Sequence, residues 1–196
     1  TLLSKALLPL PEKWHGLKNV ETRYRKRYLD LLANKESMRI AKTRSKLVRE
    51  IRNYFDALGF YEVETPILQT MYGGANARPF VTHHNTLDAD LYLRVSNELY
   101  LKRLLIGNFP KVYEIYKAFR NEGIDVTHYP EFTMIEFYES YSSATLQMEF
   151  VEHLLRNLLK KLFKKTSFLY NEATIEFGKP FKIVMRDHSI RYYLLV

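Results

Sequence analysis

Apolar residues Ile40, Leu47, Val48, Ile51, Phe55 and Leu58 fall along one helical stripe, and Gly59 follows where a C-terminal cap favours a left-handed residue. The pattern predicts a helix over 37–58. Residues 60–64 then read as a strand stopped by Thr65 and Pro66. Gly73 and Gly74 mark a turn or a close backbone approach, and two short strands are expected near 80–84 and 91–95. Asn97 stands where it can cap a helix reaching Ile106, with Gly107 beyond its end. A second long helix opens at Ser143 or Thr145 and runs to Phe163, its core-like stripe being Leu146, Phe150, Leu154, Leu158 and Leu162. Lys160, Lys161, Lys164 and Lys165 suit its C-terminal end. The remainder, 168–196, reads as short strands such as 174–177 and 181–184. These elements predict an α+β domain, an antiparallel sheet flanked by helices.

Between the two helices, strands at 111–119 and 131–141 flank a polar loop holding Gly123, Asp125, His128 and Pro130, the pattern of a hairpin with a long tip. At strand period Phe132, Met134, Glu136 and Tyr138 share a face, and Arg120 and Glu122 share a face of the preceding strand. That face presents a guanidinium, two carboxylates, a phenol and an aromatic ring. A solvent-facing strand rarely needs the ring, and a core-facing strand rarely tolerates the charges. Such a floor suits a ligand carrying a phosphate, a flat base and an amine.

Composition narrows the classes. With 196 residues and 46% hydrophobic content the chain can bury one good core. It has no cysteine, which excludes disulfides, thiolate metal sites and a cysteine nucleophile. No apolar run approaches a membrane span, and the N-terminal apolar stretch is too short for a signal peptide, so a cytoplasmic protein with no membrane partner is expected. The net charge of +8 favours a polyanionic partner, although solubility alone explains it as well. Residues 1–32, broken by Pro9 and Pro11, read as a linker, and 33–196 as the domain. The basic run from Arg23 to Tyr28 is suited to a phosphate backbone; a solvated helix face with Tyr24 and Tyr28 packed inward is the slightly favoured reading.

The run Phe119-Arg120-Asn121-Glu122-Gly123, with the strand Glu131 to Tyr138 after its loop, resembles motif 2 of the class II aminoacyl-tRNA synthetases. Gly59-Phe60-Tyr61-Glu62-Val63-Glu64-Thr65-Pro66 resembles their motif 1. Within that class, Gly73 to Phe80, Thr82 to Asp88 and Glu98 to Leu105 are similar to the lysyl-tRNA synthetase family. The resemblance is close from about Leu10 to about Tyr141 and fades afterwards. Three motifs in family order are far more specific than one Phe-Arg-x-Glu.

The resemblance implies ATP-dependent adenylation of lysine and its transfer to tRNA(Lys). In that reaction two anions meet, so positioning and charge neutralisation dominate. By resemblance Arg120 is the catalytic clamp on the α-phosphate and the lysine carboxylate, which a planar fork can hold together. Glu122 and His128 help to hold ATP, and Phe132 stacks on adenine. Glu136 and Tyr138 take the side-chain ammonium of lysine, Glu98 its α-amino group, and the backbone of Gly74 approaches it closely. Pro66 belongs to a motif 1 surface that implies a homodimer. The plainer readings are an ion pair of Arg120 with Glu122 or Glu114, a core role for Phe132, and a first-turn carboxylate for Glu98. His83, His84 and His128 lack the companions of a metal site, so no metal ligand is expected within this chain; magnesium is expected to arrive with ATP.

The match also has gaps. The family's third motif, with its glycine-rich context and γ-phosphate arginine, has no counterpart here; Arg186 and Arg191 lack such glycines. The anticodon-binding barrel would precede Thr1, and Tyr129 stands where asparagine is usual. The expectation is the middle of a lysyl-tRNA synthetase, weakly active or inactive on its own. The alternatives are a related ligase that lysylates a translation factor, and a non-catalytic dimerisation or RNA-binding remnant.

Overall fold

The structure, a computed structural model, describes residues 1, 3–5, 7–11, 16–185 and 192–195. Arg186 and Arg191 lie outside the described residues. Contacts divide the chain into two compact units, Thr1–Glu50 and Ile51–Val196.

The first unit holds helices α1 (Val20–Arg25) and α2 (Arg27–Ala33) and the beginning of the long α3 (Lys35–Ala57). The stretch read as a linker is thus helical from Val20 onward. Asn19 caps α1, its Oδ1 accepting from Thr22 N at 2.8 Å. The expected inward packing of the tyrosines does not occur: Tyr24 and Tyr28 are 70% and 69% exposed. Arg23 and Arg27 turn toward a buried carboxylate instead, while Arg25 pairs with Glu21 at the surface. Asp30 is fully buried and accepts from Arg23 Nε at 2.7 Å, Arg27 Nη1 at 2.5 Å and Asn34 Nδ2 at 2.5 Å. Burial alone would raise its carboxyl; the hydrogen bonds from Asn34, Arg23, Ser37 and Arg27 together outweigh burial and hold it far below the usual range.

The second unit begins within α3. That helix ends in paired bonds, Gly59 N to Asp56 O at 3.0 Å and Phe60 N to Phe55 O at 3.1 Å, with Gly59 at φ +76. The end is a Schellman cap, and its usual apolar contact is present as Phe55 against Phe60, ring centroids 5.0 Å apart. The helix therefore hands its core face directly to the sheet. Strand β1 (Tyr61–Glu62) lies parallel to β5 (Lys111–Phe119), which pairs antiparallel with β6 (Glu131–Glu139). A parallel edge thus completes the expected antiparallel sheet. A second sheet orders β2 (Leu68–Gln69), β4 (Ala89–Leu93) and β3 (Val81–His84), all antiparallel. Helix α4 (Glu98–Ile106) and helix α5 (Ala144–Phe163) follow the second sheet and the hairpin. Ser143 caps α5 by accepting from Leu146 N at 3.3 Å. Hairpins β7 (Ser167–Tyr170) with β8 (Ala173–Glu176), and β9 (Lys182–Met185) with β10 (Tyr192–Leu195), complete the unit.

The core lies against one face of the β5–β6 ribbon. Phe55 is fully buried and contacts Tyr113 at 4.7 Å, Phe137 at 5.2 Å and Phe150 at 5.3 Å between ring centroids. Leu154 and Leu158 of α5 are buried as its stripe predicts, whereas Leu146 at the N-terminal end of that stripe is exposed. The opposite face of the ribbon is thereby left for polar groups.

Candidate functional site

Ladder register assembles that second face. Val112, Glu114, Tyr116 and Ala118 of β5 stand opposite Tyr138, Glu136, Met134 and Phe132 of β6. Because side chains alternate, all eight project from one side. The strand β5 ends at Phe119, so Arg120 and Glu122 do not share a strand face as expected. Arg120 N still bonds across to Pro130 O at 2.8 Å, but Asn121 N turns to Arg78 O at 2.7 Å. That turn carries Glu122 into the exposed loop, where it accepts from Arg78 N at 3.1 Å.

Arg120 stays with the ribbon. Its guanidinium carbon lies 5.2 Å from the centre of the Phe132 ring, a cation–π contact on the same side as Glu136. Its Nε is buried with no hydrogen-bond partner among the described residues. The plainer expectation of an ion pair with Glu114 is overturned, because Glu114 accepts from Arg94 Nη1 at 2.7 Å. A buried guanidinium donor without an acceptor is costly, and its chemistry suits an anion.

Arg120, Glu122, Asp125, His128, Tyr129 and Phe132 line a cleft of about 510 Å³. Its loop is shaped by Asp125, which accepts from Thr127 N at 2.7 Å, His128 N at 2.8 Å and Thr127 Oγ1 at 2.9 Å. The Thr127 amide first, then the His128 side chain, lower this carboxyl to about 2. His128 Nδ1 is held 2.8 Å from Asp125 Oδ2, so the imidazole is orientated although exposed.

Farther along the ribbon the polar groups close on one another. Glu136 Oε1 accepts from Ser96 Oγ at 3.0 Å and from Tyr116 OH; Glu136 Oε2 accepts from Tyr138 OH at 3.0 Å. Burial, reinforced by the Glu136 carboxylate, raises both phenols well above their ordinary value, so both remain protonated donors. Gly74 reaches this cluster from its loop at φ +83, and a Cβ there would stand 2.9 Å from Ser96 Oγ and 3.0 Å from Glu98 Cβ. Only glycine brings the backbone so near. Glu98 opens α4 and pairs with Lys102 Nζ at 2.5 Å. Asn97 occupies the cap position, but its side chain does not cap the helix as expected: Nδ2 donates to Glu114 Oε2 at 2.7 Å. Ser96 Oγ accepts from Glu98 N instead, at 3.1 Å.

Arg120, Phe132, Glu136 and Tyr138 are therefore on one face, with Gly74 and Glu98 beside the Glu136 cluster; Glu122 and His128 lie in the loop at the cleft, and Pro66 is exposed on a separate segment. Sequence reasoning missed Ser96, Tyr116 and Arg94. The strand period held a signal for Tyr116, four residues before Arg120 on the same alternation; nothing local marked Ser96 or Arg94.

Residues 19–194 match the family model described as tRNA synthetases class II (D, K and N). The chain belongs to the class II tRNA synthetases. A lysine–tRNA ligase of Aquifex aeolicus (strain VF5) is 54% identical to it over 195 residues, 100% of this chain and 32% of that protein. Lysine–tRNA ligases of Pasteurella multocida (strain Pm70) and Mannheimia succiniciproducens are 54% and 55% identical over 192 residues, each alignment covering 97% of this chain. The chain spans 32% to 38% of the length of these relatives. The class II ribbon read from the sequence as motif 2 is β5, its loop and β6. Among the described residues of this class II chain, no helix is long and apolar enough to cross a membrane, and no group of three or more His, Asp or Glu is placed to hold a metal ion.

Proposed function

We propose that the polar face of the β5–β6 ribbon is the nucleotide- and amino-acid-binding floor of a lysine–tRNA ligase. The reaction joins the lysine carboxylate to the α-phosphorus of ATP in line and expels pyrophosphate; transfer of the lysyl group to tRNA(Lys) follows. The substrate is ATP with its magnesium ion.

The observation that carries the reading is the half-buried guanidinium of Arg120 over Phe132, its buried Nε without a hydrogen-bond partner among the described residues, on the side of the ribbon that presents Glu136 and Tyr138. Arg120 neutralises the phosphate and the attacking carboxylate together, which lowers the repulsion between two anions. Phe132 offers its ring to the adenine, with Glu122 and His128 at the rim. Glu136, flanked by hydroxyl donors, supplies the negative charge that an ammonium needs when it leaves water, and Tyr138 closes over it. Gly74 and Glu98 hold the α-amino end. The exposed surface at Pro66, with Ile67 and Leu68 44% and 47% exposed beside it, joins a second copy in a homodimer. A cytoplasmic location and a linker role for residues 1–32 go with the same reading.

Lysine-dependent ATP–pyrophosphate exchange tests it. The gene's product is expected to exchange only when lysine is present, and Arg120→Ala to abolish the signal; the 196-residue chain alone is expected to exchange weakly or not at all. Exchange that is indifferent to lysine, or intact in Arg120→Ala, rejects the assignment.

A further inference from the structure

Two carboxylates, Glu114 and Glu136, face one another directly across the β5–β6 ladder on its polar side. Like charges in that position destabilise a sheet unless each is compensated. They are compensated in different ways. Glu114 is 3% exposed and is met by Arg94 Nη1, Asn97 Nδ2 and Thr65 Oγ1, each at 2.7 Å. The partners described for Glu136 are three hydroxyls, from Ser96, Tyr116 and Tyr138. Among the described residues, a cation meets one carboxylate, and the other receives neutral donors.

Arg94 is locked in that choice. Its Nε donates to Lys117 O at 2.9 Å and its Nη1 to Thr65 O at 3.0 Å, and its side chain is 5% exposed. Its guanidinium carbon lies 4.6 Å from the centre of the Tyr116 ring. Tyr116 itself is 3% exposed and stands diagonally across the ladder from Glu136, within the reach of an aromatic side chain. Its hydroxyl therefore reaches Oε1 on a ring held against a fixed cation. A cation over a phenol ring also polarises the O–H and strengthens it as a donor.

A carboxylate offers about four lone-pair directions. Tyr116 and Ser96 take Oε1, Tyr138 takes one side of Oε2, and a single direction is left. We propose that Tyr116, clamped by Arg94, is a positioning residue that fixes the Glu136 carboxylate so that its remaining lone pair accepts the terminal amine of the substrate. The inference rests on the lysine reading of this face and adds a residue to it. Tyr116 acts through Glu136 and does not touch the amine. Its effect is confined to the amino-acid side of the site, because Arg120 and Phe132 make the other end of the ribbon.

The experiment is steady-state pyrophosphate exchange by the gene's product and its Tyr116→Phe variant, varying lysine and ATP separately. Loss of one donor to a charged group predicts a lysine KM about tenfold higher, with the ATP KM changed by less than about twofold. A merely structural role would move both constants together. Ser96→Ala removes the other donor to the same oxygen and keeps the Tyr116 hydroxyl; its lysine KM is expected to rise in the same sense, which keeps the proposal open to test if Tyr116→Phe fails to fold. A lysine KM unchanged in a folded Tyr116→Phe, or equal rises for lysine and ATP, overturns the positioning role alone. Absence of lysine-dependent exchange in the unaltered protein overturns the lysine reading, and the inference with it.

Discussion

The two faces of the β5–β6 ribbon come from alternate residues of the same strands, yet their chemistry is opposite. Tyr113 and Phe137 meet Phe55, Phe60 and Phe150 in edge-to-face, tilted and stacked contacts, and the tyrosine hydroxyl escapes to Asp56 and Glu62 at the rim. One residue away along the chain, Glu114, Tyr116, Glu136 and Tyr138 bring charged and polar atoms that must all find partners. The first face supplies burial, which is non-directional and tolerant of small shifts. The second supplies direction, and its carboxylates are tolerable only because hydroxyls, an amide and a guanidinium meet them. Within the second face a further contrast appears: Glu136 is met by three hydroxyl donors, while the buried Nε of Arg120 has no partner among the described residues. The ribbon is held by one side and presents its polar groups on the other.

Substitutions that strike one face and spare the other break or sharpen this contrast. Phe55→Ala is expected to cost about 3–5 kcal/mol in urea unfolding, because a fully buried ring at the centre of the cluster leaves a cavity. A loss below about 1 kcal/mol would mean that the aromatic face is not what holds the ribbon. Glu136→Gln keeps the shape of the polar face and removes its charge. On the proposed lysine reading, kcat/KM for lysine of the gene's product is expected to fall about a thousandfold while the melting temperature stays within a few degrees, since the loss falls on a charged partner and not on packing. A large fall in melting temperature would show that Glu136 is structural. Arg120→Lys retains a positive charge and loses the planar fork; the exchange rate should drop about a hundredfold, with unfolding unaffected.

The smallest effects come with pH. Burial first, then Glu136, raises the phenols of Tyr116 and Tyr138 above 10.0. The stability this confers is complete below pH 10 and declines as pH rises beyond it, because the unfolded chain ionises first. Thermal melts between pH 8 and 11 should show a decline that weakens in Tyr138→Phe. At the acid end the Lys111 hydrogen bond, outweighing burial, lowers Glu139 below its ordinary 4.5. Its contribution is present above that pH and is lost as pH falls; Lys111→Met should flatten the acid limb of the same melts.

Much of this arrangement was legible beforehand, for local reasons. The apolar stripe and Gly59 predicted 37–58 as a helix, and Lys35–Ala57 is one, closed by a cap that only a left-handed residue allows cheaply. The hairpin expected at 111–119 and 131–141 is Lys111–Phe119 and Glu131–Glu139. The expectation of Glu122 on the strand failed because Asn121 bonds to Arg78, a residue from another part of the chain. The position and type of Asn97 fit a helix cap, but a buried carboxylate on β5 competes for the same amide and wins.

By itself the amino-acid sequence determined which residues alternate on the ribbon, where the long helices begin and end, and which family the motifs resemble. These depend on periods of two and 3.6 and on short residue runs, all of which are local. Tertiary structure decided which cation meets which carboxylate. Arg94 is 20 residues from Glu114, and only the meeting of the second sheet with β5 brings them to 2.7 Å, leaving, among the described residues, Arg120 Nε without a partner and Glu136 with hydroxyls alone. Pairing of charges follows distance and burial in three dimensions, and no spacing along the chain encodes it.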